Sequence, residues 1–204
     1  MLVRFTKMHG LGNDFMLLDQ ISQNLTLRQE QIAALADRRL GVGFDQMLVA
    51  QPPSEPHVDF DYRIYNADGT EAEQCGNGAR CFLRFVRDRG LTTKTKILLR
   101  TTTGEISCAL EKDGSITVDM GEPVLQPADI PFQSPVPQIL YPLDVSSPIC
   151  GAHQTVQISA VNMGNPHAVT VVDNVETAPV SQLGPLIEKH VSFPQKANAG
   201  FMQC

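Results

Sequence analysis

Cys75 sits in the run Ala67-Asp68-Gly69-Thr70-Glu71-Ala72-Glu73-Gln74-Cys75-Gly76-Asn77-Gly78-Ala79-Arg80, just ahead of a segment that reads as a helix from Ala79 to Arg87. A thiol in a glycine-flanked loop at a helix start faces unpaired backbone N–H groups and the positive end of the helix dipole. The expectation is a lowered pKa and partial thiolate near neutrality. Cys75 would then be the fastest of the five cysteines to react with iodoacetamide. Such a thiol can move a proton or attack as a nucleophile. Gly76 and Gly78 carry no Cβ, so a ligand carboxylate could approach their N–H groups closely. A small buried hydrophobe in a turn is the plainer reading of a lone cysteine. The Gly-Asn-Gly at the helix start outweighs it.

Several elements must hold this thiol and its polar company. Leu2–Lys7 and Phe15–Asp19 read as strands around the loop Met8-His9-Gly10-Leu11-Gly12-Asn13-Asp14, where Asn13 offers both a donor and an acceptor. Thr26-Leu27-Arg28-Gln29 has the form of a capping box and opens a helix to about Arg39. Gly41-Val42-Gly43-Phe44-Asp45-Gln46 leads into a buried strand, Met47–Ala50, and Asn66 ends the alternating strand Val58–Tyr65 in the neighbourhood of Cys75. Ile97–Thr103, Glu105–Glu111 and Ser115–Met120 form a meander in an antiparallel or mixed sheet with a helix against it. Between Glu122 and Pro148 the density of prolines reads as a connector between two domains. Strands resume at Val156–Val161 and Ala168–Asp173 around Met163-Gly164-Asn165-Pro166-His167, and a short helix follows near Ser181–His190.

Composition sets the outer limits. A chain of 204 residues, 42% hydrophobic and 19% charged, is globular in character and can hold two small domains, here 1–122 and 123–204. A net charge of -6 without a basic run argues against nucleic acid, and no apolar run reaches membrane-spanning length. Cys75, Cys81, Cys108, Cys150 and Cys204 form no Cys-x-x-Cys pair, which speaks against both a disulfide framework and a zinc site and for a reducing cytoplasm.

The second part echoes the first. Gly12-Asn13 and Gly164-Asn165 each precede an apolar strand ending in Asp, and Gly43-Phe44-Asp45-Gln46 returns as Gly200-Phe201-Met202-Gln203 after a helix. The first part goes on to a strand, Cys75 and a helix, whereas the second ends before any such event. The expectation is either an asymmetric protein or a C-terminally truncated copy of something longer.

Met8-His9-Gly10-Leu11-Gly12-Asn13-Asp14-Phe15, Gly43-Phe44-Asp45-Gln46, Asn66-Ala67-Asp68-Gly69, Gln74-Cys75-Gly76-Asn77-Gly78-Ala79-Arg80, Met163-Gly164-Asn165-Pro166-His167 and Asn198-Ala199-Gly200-Phe201 together resemble diaminopimelate epimerase, over essentially the whole chain. The resemblance implies an α/β (α+β) fold of two pseudo-symmetric domains, each a curled, mostly antiparallel sheet around a central helix, the second incomplete here, with substrate bound between them. It implies interconversion of L,L- and meso-diaminopimelate by two cysteines, without pyridoxal phosphate or metal, in the cytoplasm and as a homodimer at full length. It places catalysis on Cys75, substrate contacts on Asn13, Gln46, Asn66, Gly76, Asn77, Asn165 and Asn198, and tuning of the thiol pKa on His167. The family's second cysteine and its Glu-Arg pair would lie past Cys204, so the 204 residues alone are expected to be inactive. Three rivals remain at this point. One is a racemase of another amino acid within the family. Another is a cysteine hydrolase with Cys75 as nucleophile, Gly76 and Asn77 N–H groups as oxyanion hole and His167 as base. The third is a non-catalytic fragment that binds anions or nothing.

Overall fold

The computed structural model describes residues 2–146 and 153–204, and Pro148 and Cys150 lie outside them. The chain divides into two compact units, Met1–Met120 and Gly121–Cys204. No helix among the described residues is long and apolar enough to cross a membrane.

The first unit is one mixed sheet. β1 (Phe5–Gly10) and β2 (Asn13–Asp19) form a hairpin whose two turn residues, Leu11 and Gly12, both have positive φ, as a two-residue turn of matching twist requires. α1 (Gln29–Ala36) carries the chain over to β3 (Gln46–Gln51), which pairs parallel with β2. β4 (Phe60–Asn66) returns antiparallel to β3, and the two-residue β5 (Glu71–Ala72) pairs with β4. α2 (Gly76–Asp88) then crosses to β6 (Lys96–Arg100), parallel to β4. β7 (Glu105–Leu110) and β8 (Ile116–Asp119) complete the expected meander. The sheet order is β1-β2-β3-β4-β6-β7-β8.

Alternation along the strands sends side chains to two cores. Phe15, Leu17, Leu48 and Ile64 meet α2, while Met16, Leu18, Met47 and Val49 meet α1. β2 is therefore buried on both faces. α2 buries Gly78, Ala79, Cys81, Phe82, Leu83, Phe85 and Val86, more than one helical face, because the sheet curls around it and it touches strands from β1 to β8. Two helix expectations need correction. α1 is shorter than the expected Thr26–Arg39, and its cap lies two residues on and is one-sided: the Arg28 N–H donates to Gln31 Oε1 at 3.0 Å, while the Gln31 N–H bonds the Arg28 carbonyl. α2 begins at Gly76, not Ala79, so Gly76-Asn77-Gly78 is its first turn and not a loop.

The second unit is a four-stranded sheet in the order β12-β11-β10-β9, formed by β9 (Tyr141–Ser146), β10 (His153–Asn162), β11 (Pro166–Val171) and β12 (Asn198–Met202). α3 (Val180–Glu188) packs on β12 and β9 through a core that includes Ile187, Ile158 and Ala168. The proline-rich stretch is not a connector. It supplies the edge strand β9, where Pro142 is tolerated, and its Ile130, Phe132, Tyr141, Leu143 and Val145 are core residues. Phe132 rings lie 4.7 Å from Tyr141 and 4.6 Å from Phe193.

The internal repeat is present as topology. β1-β2-α1-β3 and β10-β11-α3-β12 each pair antiparallel, then parallel through a helix. Phe15 opposes Gln46 and His167 opposes Asn198, so Gln46 and Asn198 hold equivalent places. The Gly-Phe echo therefore aligned the wrong residues, since its second copy lies inside β12 whereas its first precedes β3.

Glycine at position 78 is fixed by Tyr62. A Cβ there would lie 2.3 Å from the Tyr62 hydroxyl and 3.1 Å from Leu48 Cδ2. Gly78→Ala is expected to destabilise by about 1–3 kcal/mol despite the better helix propensity of alanine. In a Tyr62→Phe background most of that penalty disappears. Denaturant unfolding of the four proteins in the cycle checks it, and an equal penalty in both backgrounds would refute the clash.

Candidate active site

Cys75 is the N-cap of α2, in extended backbone, and its Sγ accepts the Gly78 N–H at 3.3 Å. The Ala79 N–H bonds the Cys75 carbonyl at 2.9 Å, and the Tyr62 hydroxyl donates to the same oxygen at 3.4 Å. The sulfur is thus one of the acceptors that the first turn of a helix needs. Its pKa departs from expectation. Burial pushes the thiol up, and the N–H groups of Gly78 and Asn77 and the charge of Arg80 oppose this without reversing it. Helix-start position alone predicted a lowered value because it left desolvation out. Burial raises Cys81 as well and takes Cys108 to about 12, whereas Cys204 is exposed.

The hairpin tip brings Asn13 to the thiol, with Nδ2 3.9 Å from Cys75 Sγ. A Cβ on Gly10 would come within 3.3 Å of Asn77, so its absence lets the hairpin approach the start of α2. Gln46 and Asn66 are register partners on β3 and β4, and Gln46 Nε2 donates to Asn66 Oδ1 at 3.2 Å. The Asn66 amide in turn donates to Thr70 Oγ1 at 3.2 Å. Asn13, Gln46, Asn66, Cys75, Gly76 and Asn77 all belong to the first unit. Among the described residues, Asn13 Oδ1 and Gln46 Oε1 are buried acceptors without a hydrogen-bond partner. Buried polar atoms in native proteins are nearly always partnered, and Thr170 Oγ1 in the second unit shares this state.

Sequence reasoning missed four kinds of support. Tyr62, fully buried, reaches the Cys75 carbonyl; only its alternation toward the helix face hinted at this. The Arg80 guanidinium bonds Asn77 Oδ1, a contact an i, i+3 pair on a helix could have suggested. Met120 packs beside Gly76, its Sδ 3.3 Å from where a Cβ would be, which no local pattern announces. Lys7, Asp14, Arg38 and Asp45 form an ion cluster at the starts of β2 and β3.

In the second unit Asn165, His167 and Asn198 gather at one end of the sheet. His167 Nε2 lies 2.8 Å from Asn165 Oδ1, His167 pairs with Asn198 across β11 and β12, and Asn198 Nδ2 donates to the Pro166 carbonyl at 3.1 Å. Burial lowers the His167 pKa below the ordinary imidazole value, favouring the neutral ring near neutrality.

Residues 5–126 match the family model for diaminopimelate epimerase. A diaminopimelate epimerase of Aromatoleum aromaticum is 56% identical over 203 residues, spanning 100% of this chain and 71% of the relative. One of Ectopseudomonas mendocina is 54% identical over the same shares. Among solved structures, a probable proline racemase of Agrobacterium radiobacter K84, with bound carbonate, superposes with TM-score 0.64 at 14% identity, covering 99% of this chain and 66% of that one. A hydroxyproline epimerase of Agrobacterium vitis gives TM-score 0.57 at 14% identity, covering 91% and 54%. At such identities the structures speak for the fold alone, a curled α+β sheet around a helix, and this chain spans just over half of the second. The close relatives carry the assignment: the chain belongs to the diaminopimelate epimerase family and, with it, to the isomerases.

Proposed function

We propose that this chain acts on diaminopimelate, with Cys75 moving the α-proton on one face of a stereocentre. One observation carries the reading. The Cys75 sulfur lies at the start of α2 beside Asn13, and Asn13 Oδ1 and Gln46 Oε1 are acceptors that no donor among the described residues uses. An amino-acid substrate brings an ammonium with three N–H donors, which suits those acceptors and Asn66, and a carboxylate, which suits the N–H groups of Gly76 and Asn77 at the helix start. The thiolate takes the α-hydrogen as a proton. Charge left on carbon spreads into the carboxylate, where the same N–H groups stabilise it.

A raised thiol pKa fits this chemistry. Thiolate is scarcer at neutrality, but each thiolate is a stronger base toward a carbon acid. The arriving ammonium favours the charged sulfur, and the carboxylate seated at the helix start opposes it. Inversion also needs an acid on the opposite face. Of the described cysteines, Cys81 and Cys108 lie in the core and Cys204 follows β12, so Cys75 alone stands at a helix start. The reading assigns one thiol of a two-cysteine mechanism to these residues. In the second unit it assigns substrate contacts to Asn165 and Asn198 and thiol tuning to His167, on the motif resemblance.

Three measurements test the proposal. First, 204-residue protein incubated with L,L-diaminopimelate in deuterated water should wash deuterium slowly into that isomer through Cys75 alone. Meso product should form about 10²–10⁴-fold more slowly than with a full-length relative. Meso product at a comparable rate, or unchanged wash-in by Cys75→Ala, would overturn the single-thiol reading. The same assay with proline and other amino acids reports the substrate class. Second, in the free protein iodoacetamide should label exposed Cys204 before Cys75, and the Cys75 rate should climb with pH to a midpoint above the ordinary thiol value of 9.0. Peptide mapping that found Cys75 first at neutral pH would contradict it. Third, His167 should titrate below 6.5 by NMR, with its charged form gained only as pH falls through that lower value. The unfolded chain binds the proton first, so the linked stability is lost over the interval between the unfolded and folded values as pH falls.

A further inference from the structure

Asn13 and Gln46 open strands whose first residues are tied together by charge. Asp14 follows Asn13 directly, and Asp45 directly precedes Gln46. The Asp14 N–H donates to Asp45 Oδ2 at 3.0 Å, while the Asp45 N–H donates to Asp14 Oδ1 at 3.1 Å and to the Asp14 carbonyl at 2.9 Å. Two carboxylates this close repel unless cations separate them. Arg38 does so with a fork. Its guanidinium reaches both Asp14 oxygens, at 2.7 and 3.2 Å, and Asp45 Oδ1 at 2.8 Å. Lys7 adds a contact to Asp14 Oδ2 at 2.8 Å and bonds the Gly43 carbonyl. The Arg38 contact is the largest influence holding the Asp14 carboxyl well below the usual carboxylate range.

We propose that Arg38 is a positioning residue. By bridging Asp14 and Asp45 it fixes the backbone from which Asn13 and Gln46 project, and so the direction in which their unpartnered acceptors are offered to substrate. Successive side chains on a strand point to opposite faces, so the clamp acts from the side away from Asn13 and Gln46 without touching what they bind. The assignment deepens the proposed substrate reading and rests on it for its functional meaning.

The protein contains its own control. In the second unit the corresponding strands pair parallel in the same register, His167 opposite Asn198, with Pro166 and Ala197 in the places of Asp14 and Asp45. Two strands of this module therefore align without an ion clamp. The charge cluster in the first unit is not a requirement of the strand pairing, and Arg38, 58% exposed at its side chain, contributes little to global stability. Geometry is what it supplies. A bidentate fork over one carboxylate with a third contact to another restricts rotation in a way that a single ammonium cannot.

The test compares wild type, Arg38→Met, Arg38→Lys and Asp45→Asn in the 204-residue protein labelled with nitrogen-15. Without substrate, Arg38→Met is expected to shift and broaden the side-chain amide resonances of Asn13 and Gln46 while leaving the thermal midpoint within a few degrees of wild type. With diaminopimelate, its dissociation constant should rise about tenfold, and Arg38→Lys should recover part of both effects. Unmoved amide resonances in a folded Arg38→Met protein overturn the proposal, as does a lowered midpoint with those resonances intact. Should Arg38→Met fail to fold, Asp45→Asn removes one arm of the clamp and is judged by the same resonances. Wild type that does not bind diaminopimelate refutes the substrate reading, and the substrate-free resonances still decide the clamp.

Discussion

The start of α2 must find acceptors for N–H groups that no earlier helical turn can supply, and Cys75 is one of them. A serine or aspartate at that place would cap as well or better. Using a thiol puts a titratable group where backbone donors and the helix dipole favour negative charge. Enclosing the same helix in a curled sheet desolvates the sulfur and favours the neutral form. The two effects oppose each other, and in the free protein desolvation is the larger.

Enclosure follows from how the strands are patterned. β2 is apolar from Phe15 to Leu18 without alternation, since its odd residues meet α2 and its even residues meet α1. The corresponding strand β11 is covered differently. Ala168 faces the α3 core, while Val171 on the other face is 55% exposed. On β12 Met202 is 46% exposed at the place equivalent to buried Ala50. The two copies of the module thus share register and differ in whether a second helix lies on the sheet within the unit. Desolvation of the kind that acts on Cys75 belongs to the doubly covered copy.

Much of this was legible in the residues. The hairpin glycines, the meander and the apolar run after Cys75 correspond to observed elements, because each depends on local turn chemistry or on periodicity. The errors have physical causes. Gly76 and Asn77 are poor helix formers and read as loop, yet the first turn tolerates them because its N–H groups lack intrahelical partners anyway. Prolines 123 to 148 suggested a linker, but proline is excluded only from paired interior positions, and β9 is an edge. The thiol pKa was misjudged in sign because exposure is a tertiary quantity. Gly78 was read as making room for a ligand, whereas the atom it admits is the Tyr62 hydroxyl, brought in from β4 by the curl of the sheet around α2.

Register was the least legible feature and the most consequential. A match of Gly-Phe with Gly-Phe is persuasive as text, but pairing across β2–β3 and β11–β12 makes Gln46 the counterpart of Asn198. Both are amides and both oppose the strand position two residues after an asparagine that follows a glycine, although Asp45 precedes one and Ala197 the other. What the two modules keep in common is therefore a placement of side-chain amides at one end of a parallel strand pair. What surrounds that placement is free to differ: carboxylates bridged by an arginine in one, a proline and a buried alanine in the other. A strand end can be aligned by main-chain pairing alone. Holding an amide with an unpartnered acceptor in one orientation asks for more, and the ion cluster lies where Gln46 and Asn13 carry such acceptors, while Asn165 holds its own oxygen against His167.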